Sequence, residues 1–276
     1  MEFDPHRRVL RPYGAYAFST FPFANVQSSS CLPEDQYETL SATFPEIACF
    51  PQNGSAADRA VLRIPSSRVL AEPGFSEAWK WFVEQHTAQA FWLQILETFG
   101  PQLHAGFQQI ERRMGRPMKR WRVARLGSGE PGDVYLGCDL VVNTGATGLA
   151  SSQDKPHVDP ATRLWTGLLT LRDAADAAAG GDLRLYRGLE GLRFDAHRAP
   201  RNGVIHEVTA RYAANAFIGF VNGPQAIHSV SMRPSTPHVR RYVDLVVEMD
   251  RPAFELPQMH PLRRSWFRLV HRQAGR

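Results

Sequence analysis

Between residues 120 and 249 the chain carries six short β-type runs, and the intervals between them hold turns rather than helices. The runs cover 120–126, 134–143, 164–172, 181–187, 216–222 and 240–249, each bounded by glycine or proline. Parallel neighbours need a crossover of a dozen or more residues, usually helical. Strands set this close together therefore point to an antiparallel sandwich or barrel.

The helical signal lies upstream. Residues 33–44 read as a short helix, with Tyr37, Leu40 and Phe44 at i, i+3 and i+7. Ser76 is a good N-cap for 77–86, which places Trp79, Phe82 and Val83 on one face. Phe91, Ile95 and Phe99 continue the pattern, and after Gly100-Pro101 a third segment aligns Leu103, Phe107, Ile110 and Met114. Aromatic stripes of this kind read as core. Residues 1–30 read as irregular, and 45–75 as loops with one strand. Segregated helix and strand blocks define an α+β chain, with a mainly helical N-terminal layer (1–119), a β core (120–250) and a tail (251–276) in a single domain.

Composition excludes several classes. With 276 residues, 43% hydrophobic and 21% charged, the chain is long enough for a large core and unlike a disordered protein. No apolar run approaches the ~18–20 residues of a membrane span, and the start does not read as a secretory signal, so a cytoplasmic protein is expected. Cys31, Cys49 and Cys138 are too far apart for a thiolate metal site or a disulfide scaffold. Of the 32 basic residues only Lys80, Lys119 and Lys155 are lysines; arginine suits bidentate contacts with carboxylate or phosphate. The arginines are interleaved with acids except at Arg263, Arg264, Arg268, Arg272 and Arg276, which read as a solvated tail. In that tail Trp266, Phe267 and Val270 at helical spacing would pack on the domain or on a second subunit, as in a homodimer.

The stretch from Thr144 to Ser151 (Thr-Gly-Ala-Thr-Gly-Leu-Ala-Ser) looks like the opening of a dehydrogenase nucleotide loop. Such a loop needs a helix to begin there and meet the pyrophosphate. Pro156 follows instead, and no βαβ alternation succeeds it. A glycine-rich loop is the better reading.

The residues that carry chemistry lie on either side of the central runs. In Pro156-His157-Val158-Asp159, an extended chain points His157 and Asp159 to the same side, ~6–7 Å apart. His228 follows the fifth run, and Arg240-Arg241-Tyr242 opens the sixth. Two imidazoles and one carboxylate leave coordination positions open, the donor set that favours non-haem Fe(II). An arginine at the head of a buried strand calls for a bound anion. His197, His206 and His238 read as loop or surface residues.

Together these pieces resemble the Fe(II)/2-oxoglutarate-dependent dioxygenases, particularly the prolyl-hydroxylase-like branch. The matching order is His157-Val-Asp159, the strand around Gly167-Leu168, Gly180-Gly-Asp-Leu183, His228-Ser-Val, and Arg241-Tyr-Val-Asp-Leu, over roughly residues 120–250. The resemblance implies a double-stranded β-helix (jelly-roll, cupin-like) core. It implies iron ligands at His157, Asp159 and His228, with Fe(II), 2-oxoglutarate and O₂ as cofactor and cosubstrates. It implies a basic residue for the distal carboxylate of 2-oxoglutarate, Arg241 or its neighbour Arg240. Alternation lets only one of them point inward; Arg241 is preferred here because it directly precedes an aromatic. Thr170, Leu168 and Leu183 would line the cosubstrate. Halogenating relatives lack the carboxylate, so Asp159 favours hydroxylation, with release of succinate and CO₂.

The substrate is expected to be a small or medium-sized metabolite (an amino acid derivative, a saccharide or a natural-product intermediate) held under the loops 127–156 and 188–214. Two other readings stay open: a nucleic-acid- or protein-directed oxygenase of the same chemistry, and a metal-free jelly-roll binding module. The sequence pI of about 9.4 prompts the first, but no contiguous basic surface precedes residue 250, so nucleic acid is not the expected partner.

Overall fold

The computed structural model describes residues 7–10, 17–51, 60–145 and 155–260. The basic tail, and the glycine-rich loop beyond Gly145, lie outside them.

Two sheets face each other. The larger runs β1 (Ala17–Ser19), β2 (Asn25–Ser28), β9 (Ala214–Val221), β6 (Arg163–Leu171), β11 (Arg240–Glu248), β5 (Val134–Asn143) and β3 (Val61–Ile64), with β4 (Val123–Arg125) parallel to β5. The smaller runs β10 (Ile227–Val230), β7 (Leu183–Gly188) and β8 (Val204–Ala210). Apart from β4, every pairing is antiparallel. Leu183 and Leu185 of β7 and Ala210 of β8 pack across the gap on Ile218 and Phe220 of β9, with Leu168 of β6 beside them.

Helices cover the outer face of the larger sheet. α1 (Glu34–Ala42), α2 (Ser66–Ala71), α3 (Glu77–His86) and α4 (Gln89–Met114) share one apolar core with that face. Ser76 caps α3, its Oγ accepting from Trp79 N. Strand alternation sorts the residues: Trp165, Leu169 and Leu171 of β6 and Val243, Leu245 and Val247 of β11 join the helix-side core. Thr166, Leu168 and Thr170 point the other way. Gly167 and Gly219 are paired across β6 and β9. A Cβ at either would stand 2.5 or 2.8 Å from the indole of Trp165. The two glycines make room for a fully buried tryptophan on the sheet surface.

Three features depart from the sequence reading. α4 continues through Gly100-Pro101, and its non-helical residue is Phe107. Phe91, Ile95, Phe99, Leu103 and Phe107 stay on one buried stripe across the proline, and that packing outweighs the ~3 kcal/mol of a helix-interior proline. The stretch 1–30, read as irregular, contributes β1 and β2, and the stretch 188–214 contains β8 rather than being wholly loop; β3 is the one strand expected within 45–75. β2 is only four residues long and mostly polar, and β8 is largely exposed with no alternation of apolar and polar residues, so their period-2 signal is weak. Among the described residues no helix is long and apolar enough to cross a membrane.

His86 ties the N-terminal segment to this core. Its Nδ1 meets the Phe82 carbonyl at 2.7 Å, and its Nε2 accepts from Val9 N at 3.1 Å. Both ring nitrogens are satisfied in the neutral form, and burial pulls the pKa down to about 3. A base whose folded pKa lies below its unfolded value contributes full stability above the unfolded pKa, and less as pH falls. Unfolding free energy should therefore decline from pH 6.5 towards pH 3, by at most ~1.4 kcal/mol per pH unit from this residue. Denaturant titrations of His86→Leu should show a shallower decline over that range; an identical slope would remove His86 as the cause.

Candidate metal centre

His157 and His228 are brought together by backbone pairing. His157 N donates to His228 O at 2.9 Å, and His228 N donates to His157 O at 2.8 Å. Residues that exchange both hydrogen bonds in an antiparallel pair project their side chains to the same face. The rings accordingly lie with centroids 4.5 Å apart. Asp159, two residues along the extended segment, joins them on that face. One ligand atom from each of the three lies within 4.8 Å of the others.

The tautomers follow from the partners. His157 Nδ1 is 2.9 Å from Lys155 O and His228 Nδ1 is 2.9 Å from Ala226 O. A carbonyl only accepts, so each Nδ1 carries a proton and Nε2 is the ring atom left to bind a metal, as in metal-ligating histidines. His228 Nε2 stands 3.6 Å from Asp159 Oδ1. Ligands placed cis at ~2.1 Å from a metal are ~3 Å apart, so this pair already stands near coordination spacing. The donor set thus fits a divalent metal.

Electrostatics agree with this. Burial, with help from His228, pulls His157 down to about 4, so it is neutral near pH 7. Burial alone would raise Asp159, but His228, Arg163 and the Thr166 hydroxyl together hold it well below the usual carboxylate range. Burial would likewise lower His228, and Asp159 reverses that shift. Arg163 bridges Asp159 Oδ2 (3.5 Å) and Glu248 (3.0 Å).

A cavity of about 240 Å³ lies between the sheets, lined in part by Leu168, Thr170, Gly181, Leu183, Tyr212 and Arg240. All three residues expected to line the cosubstrate are there. The Thr170 hydroxyl is turned into the backbone, within reach of the Ala213 and Ala216 carbonyls. Arg240 is 4% exposed. Its Nε donates to Gly181 O at 2.9 Å, and its guanidinium sits 5.1 and 4.4 Å from the Tyr212 and Tyr242 ring centroids. No carboxylate pairs with it among the described residues, and burial pulls its pKa below the ordinary value. The Gly-Gly turn makes this possible: Gly180 and Gly181 both have positive φ, and a Cβ on Gly180 would meet Met232 O at 1.9 Å.

Arg241 does not point into the cavity, contrary to the sequence expectation. It shares the helix-side face with Val243 and Val247, donates from Nε to Leu171 O at 3.1 Å, and pairs with Asp173 at 3.2 Å. Strand alternation then gives Arg240 the inner face. His197 and His206 are exposed, as expected. Sequence reasoning passed over Tyr212, whose ring also faces Arg172 and Arg233, and the Thr166–Asn222 pair behind Asp159.

No family model matches the sequence, and no curated protein matches it. Among solved structures, the chain is similar to a Pseudomonas putida prolyl-4-hydroxylase: 16% identity, 82% of this chain and 93% of that one, TM-score 0.45. It is also similar to the epimerase SnoN in complex with Fe3+, alpha ketoglutarate and nogalamycin RO: 13% identity, 83% and 82% covered, TM-score 0.46. A prolyl 4-hydroxylase from Phytophthora capsici gives 13% identity, 90% and 68% covered, TM-score 0.45. None of these likenesses is close enough to carry a function, so the chemistry rests on the residues.

Purified protein should bind one Mn(II) per chain, and at a hundred times the Kd this should stabilise the fold by ~2.7 kcal/mol. His157→Ala and His228→Ala should abolish both binding and stabilisation. Full metal content in both variants would mean that the ligands lie elsewhere.

Proposed function

We propose that this chain is an Fe(II)/2-oxoglutarate-dependent dioxygenase, with the two facing sheets forming a double-stranded β-helix core. It would hydroxylate an unactivated C–H bond of a small or medium-sized metabolite, releasing succinate and CO₂. The observation that carries this reading is the pairing of a His–Asp–His donor set with a buried arginine that has no carboxylate partner among the described residues, on one inter-sheet face. The inward residues of β6 connect the two: Thr166 bonds Asp159, Leu168 and Thr170 line the cavity, and Tyr242, paired with Thr170, stacks on Arg240. Thr166 and Thr170 are four steps apart along β6, ~13 Å of chain.

Iron held there supplies the oxygen chemistry that couples decarboxylation of 2-oxoglutarate to C–H oxidation. The protein's own part is orientation and exclusion of water. His157 and His228 present Nε2 with their tautomers fixed by backbone carbonyls. Asp159 contributes the anionic donor. Arg240 takes the distal carboxylate of 2-oxoglutarate, which replaces the missing counter-charge in the cavity. Leu168, Leu183 and Ile218 give the cosubstrate dry walls.

Succinate release from 2-oxoglutarate, screened over amino acids, saccharides and natural-product intermediates, tests the reaction class. It should require Fe(II) and disappear in His157→Ala; release that persists in that variant contradicts the assignment. Arg240→Ala should weaken 2-oxoglutarate binding by ~2–4 kcal/mol, as expected for loss of a desolvated charge partner. Arg241→Ala should change it far less. The reverse ranking in anaerobic titrations would return the anchor role to Arg241.

A further inference from the structure

Asp159 offers two carboxylate oxygens, and its neighbours treat them differently. Oδ1 faces His228 Nε2 at 3.6 Å. Oδ2 accepts from Thr166 Oγ1 at 2.6 Å and has Arg163 Nη1 at 3.5 Å. Behind Thr166 stands Asn222, with 2.9 Å between Asn222 Nδ2 and Thr166 Oγ1. Thr166 is 3% exposed and Asn222 1%, so water does not compete for these bonds.

The direction of the chain is fixed by proton counting. A carboxylate only accepts, so the single hydroxyl proton of Thr166 goes to Asp159. Thr166 Oγ1 must then accept, and Asn222 must donate from Nδ2. This orientation leaves Asn222 Oδ1 buried with no hydrogen-bond partner among the described residues. A buried orphan acceptor is unfavourable and rare. Asn222 is otherwise held through its backbone, N to Leu164 O at 2.9 Å, so packing alone does not require an amide here.

We propose that Thr166 and Asn222 are positioning residues that reserve Asp159 Oδ2 and leave Oδ1 as the one oxygen for a divalent metal. A carboxylate bound through one atom, with two imidazoles, keeps three of six octahedral positions free; capture of Oδ2 would close one of them. This inference rests on the metal site proposed above and deepens it, because it assigns the control of coordination number to residues that touch neither metal nor substrate.

The test is calorimetric titration of full-length protein with Mn(II), alongside metal-free thermal melts. Thr166→Val keeps the shape and removes the donor, and it should weaken Mn(II) binding 10–100-fold, the usual effect of losing an outer-shell partner. Thr166→Ser restores the hydroxyl and should recover affinity to within a few-fold of wild type. Asn222→Asp is isosteric but puts an acceptor where a donor is required, so it should weaken binding at least as much as Thr166→Val. Asn222→Asp also decides the matter if Thr166→Val fails to fold. Wild-type affinity in folded Thr166→Val and Asn222→Asp, even with lowered melting temperatures, would make the pair merely structural and overturn the proposal. No Mn(II) binding by the wild type would overturn the metal reading itself, and this inference with it.

Discussion

The two reciprocal backbone hydrogen bonds between His157 and His228 are the constraint on which the site depends. They join the extended segment after residue 155 to β10, and β10 to the rest of the smaller sheet through β7. Because the pair is directly opposed, two imidazoles separated by most of the β core share one face without a loop to hold them. Asp159 then follows from the period of an extended chain. A one-residue slip in this register would turn one histidine to the other side of the sheet and dissolve the site.

A second constraint acts at Arg240. A buried guanidinium without a carboxylate is costly, and neutral partners offset the cost only in part: the Gly181 carbonyl, Asn143 Oδ1 at 3.4 Å and two aromatic faces. Nearby Arg172 and Arg233 have Asp176 beside them, Arg233 at 2.8 Å and Arg172 at 3.7 Å. Three guanidiniums thus gather around the Tyr212 ring beside one buried carboxylate, and of the three Arg240 is the one that lines the cavity. The helical layer makes this arrangement stable: α3 and α4 bury the outer face of the larger sheet, so the inner face can afford polar residues.

Much of this was legible before any coordinates. The central strands β5, β6, β9 and β11 carry dense β-branched and apolar residues, and their bounds match within two residues. The His-x-Asp spacing and the later His were readable because strand geometry turns spacing into facing. What was not legible has specific causes. The choice between Arg240 and Arg241 depends on which face of β11 the helices cover, and spacing from His228 does not encode that. The signal was in the strand itself: Val243, Leu245 and Val247 form the apolar face, and Arg241 shares their parity. Tyr212, Thr166 and Asn222 act through tertiary contacts and carry no local pattern. β2 was hidden by its short, polar sequence and β8 by its exposed one, and α4 crosses its proline because its stripe is buried on both sides of it.

The central claim is that one inter-sheet face holds a metal at one end and a carboxylate at the other. Anomalous diffraction from crystals grown with Mn(II) and 2-oxoglutarate under anaerobic conditions tests it directly. The account predicts a single manganese bound to His157 Nε2, Asp159 Oδ1 and His228 Nε2, with the distal carboxylate of 2-oxoglutarate on Arg240. Manganese on other residues, or the carboxylate on the helix side beside Arg241, would contradict it.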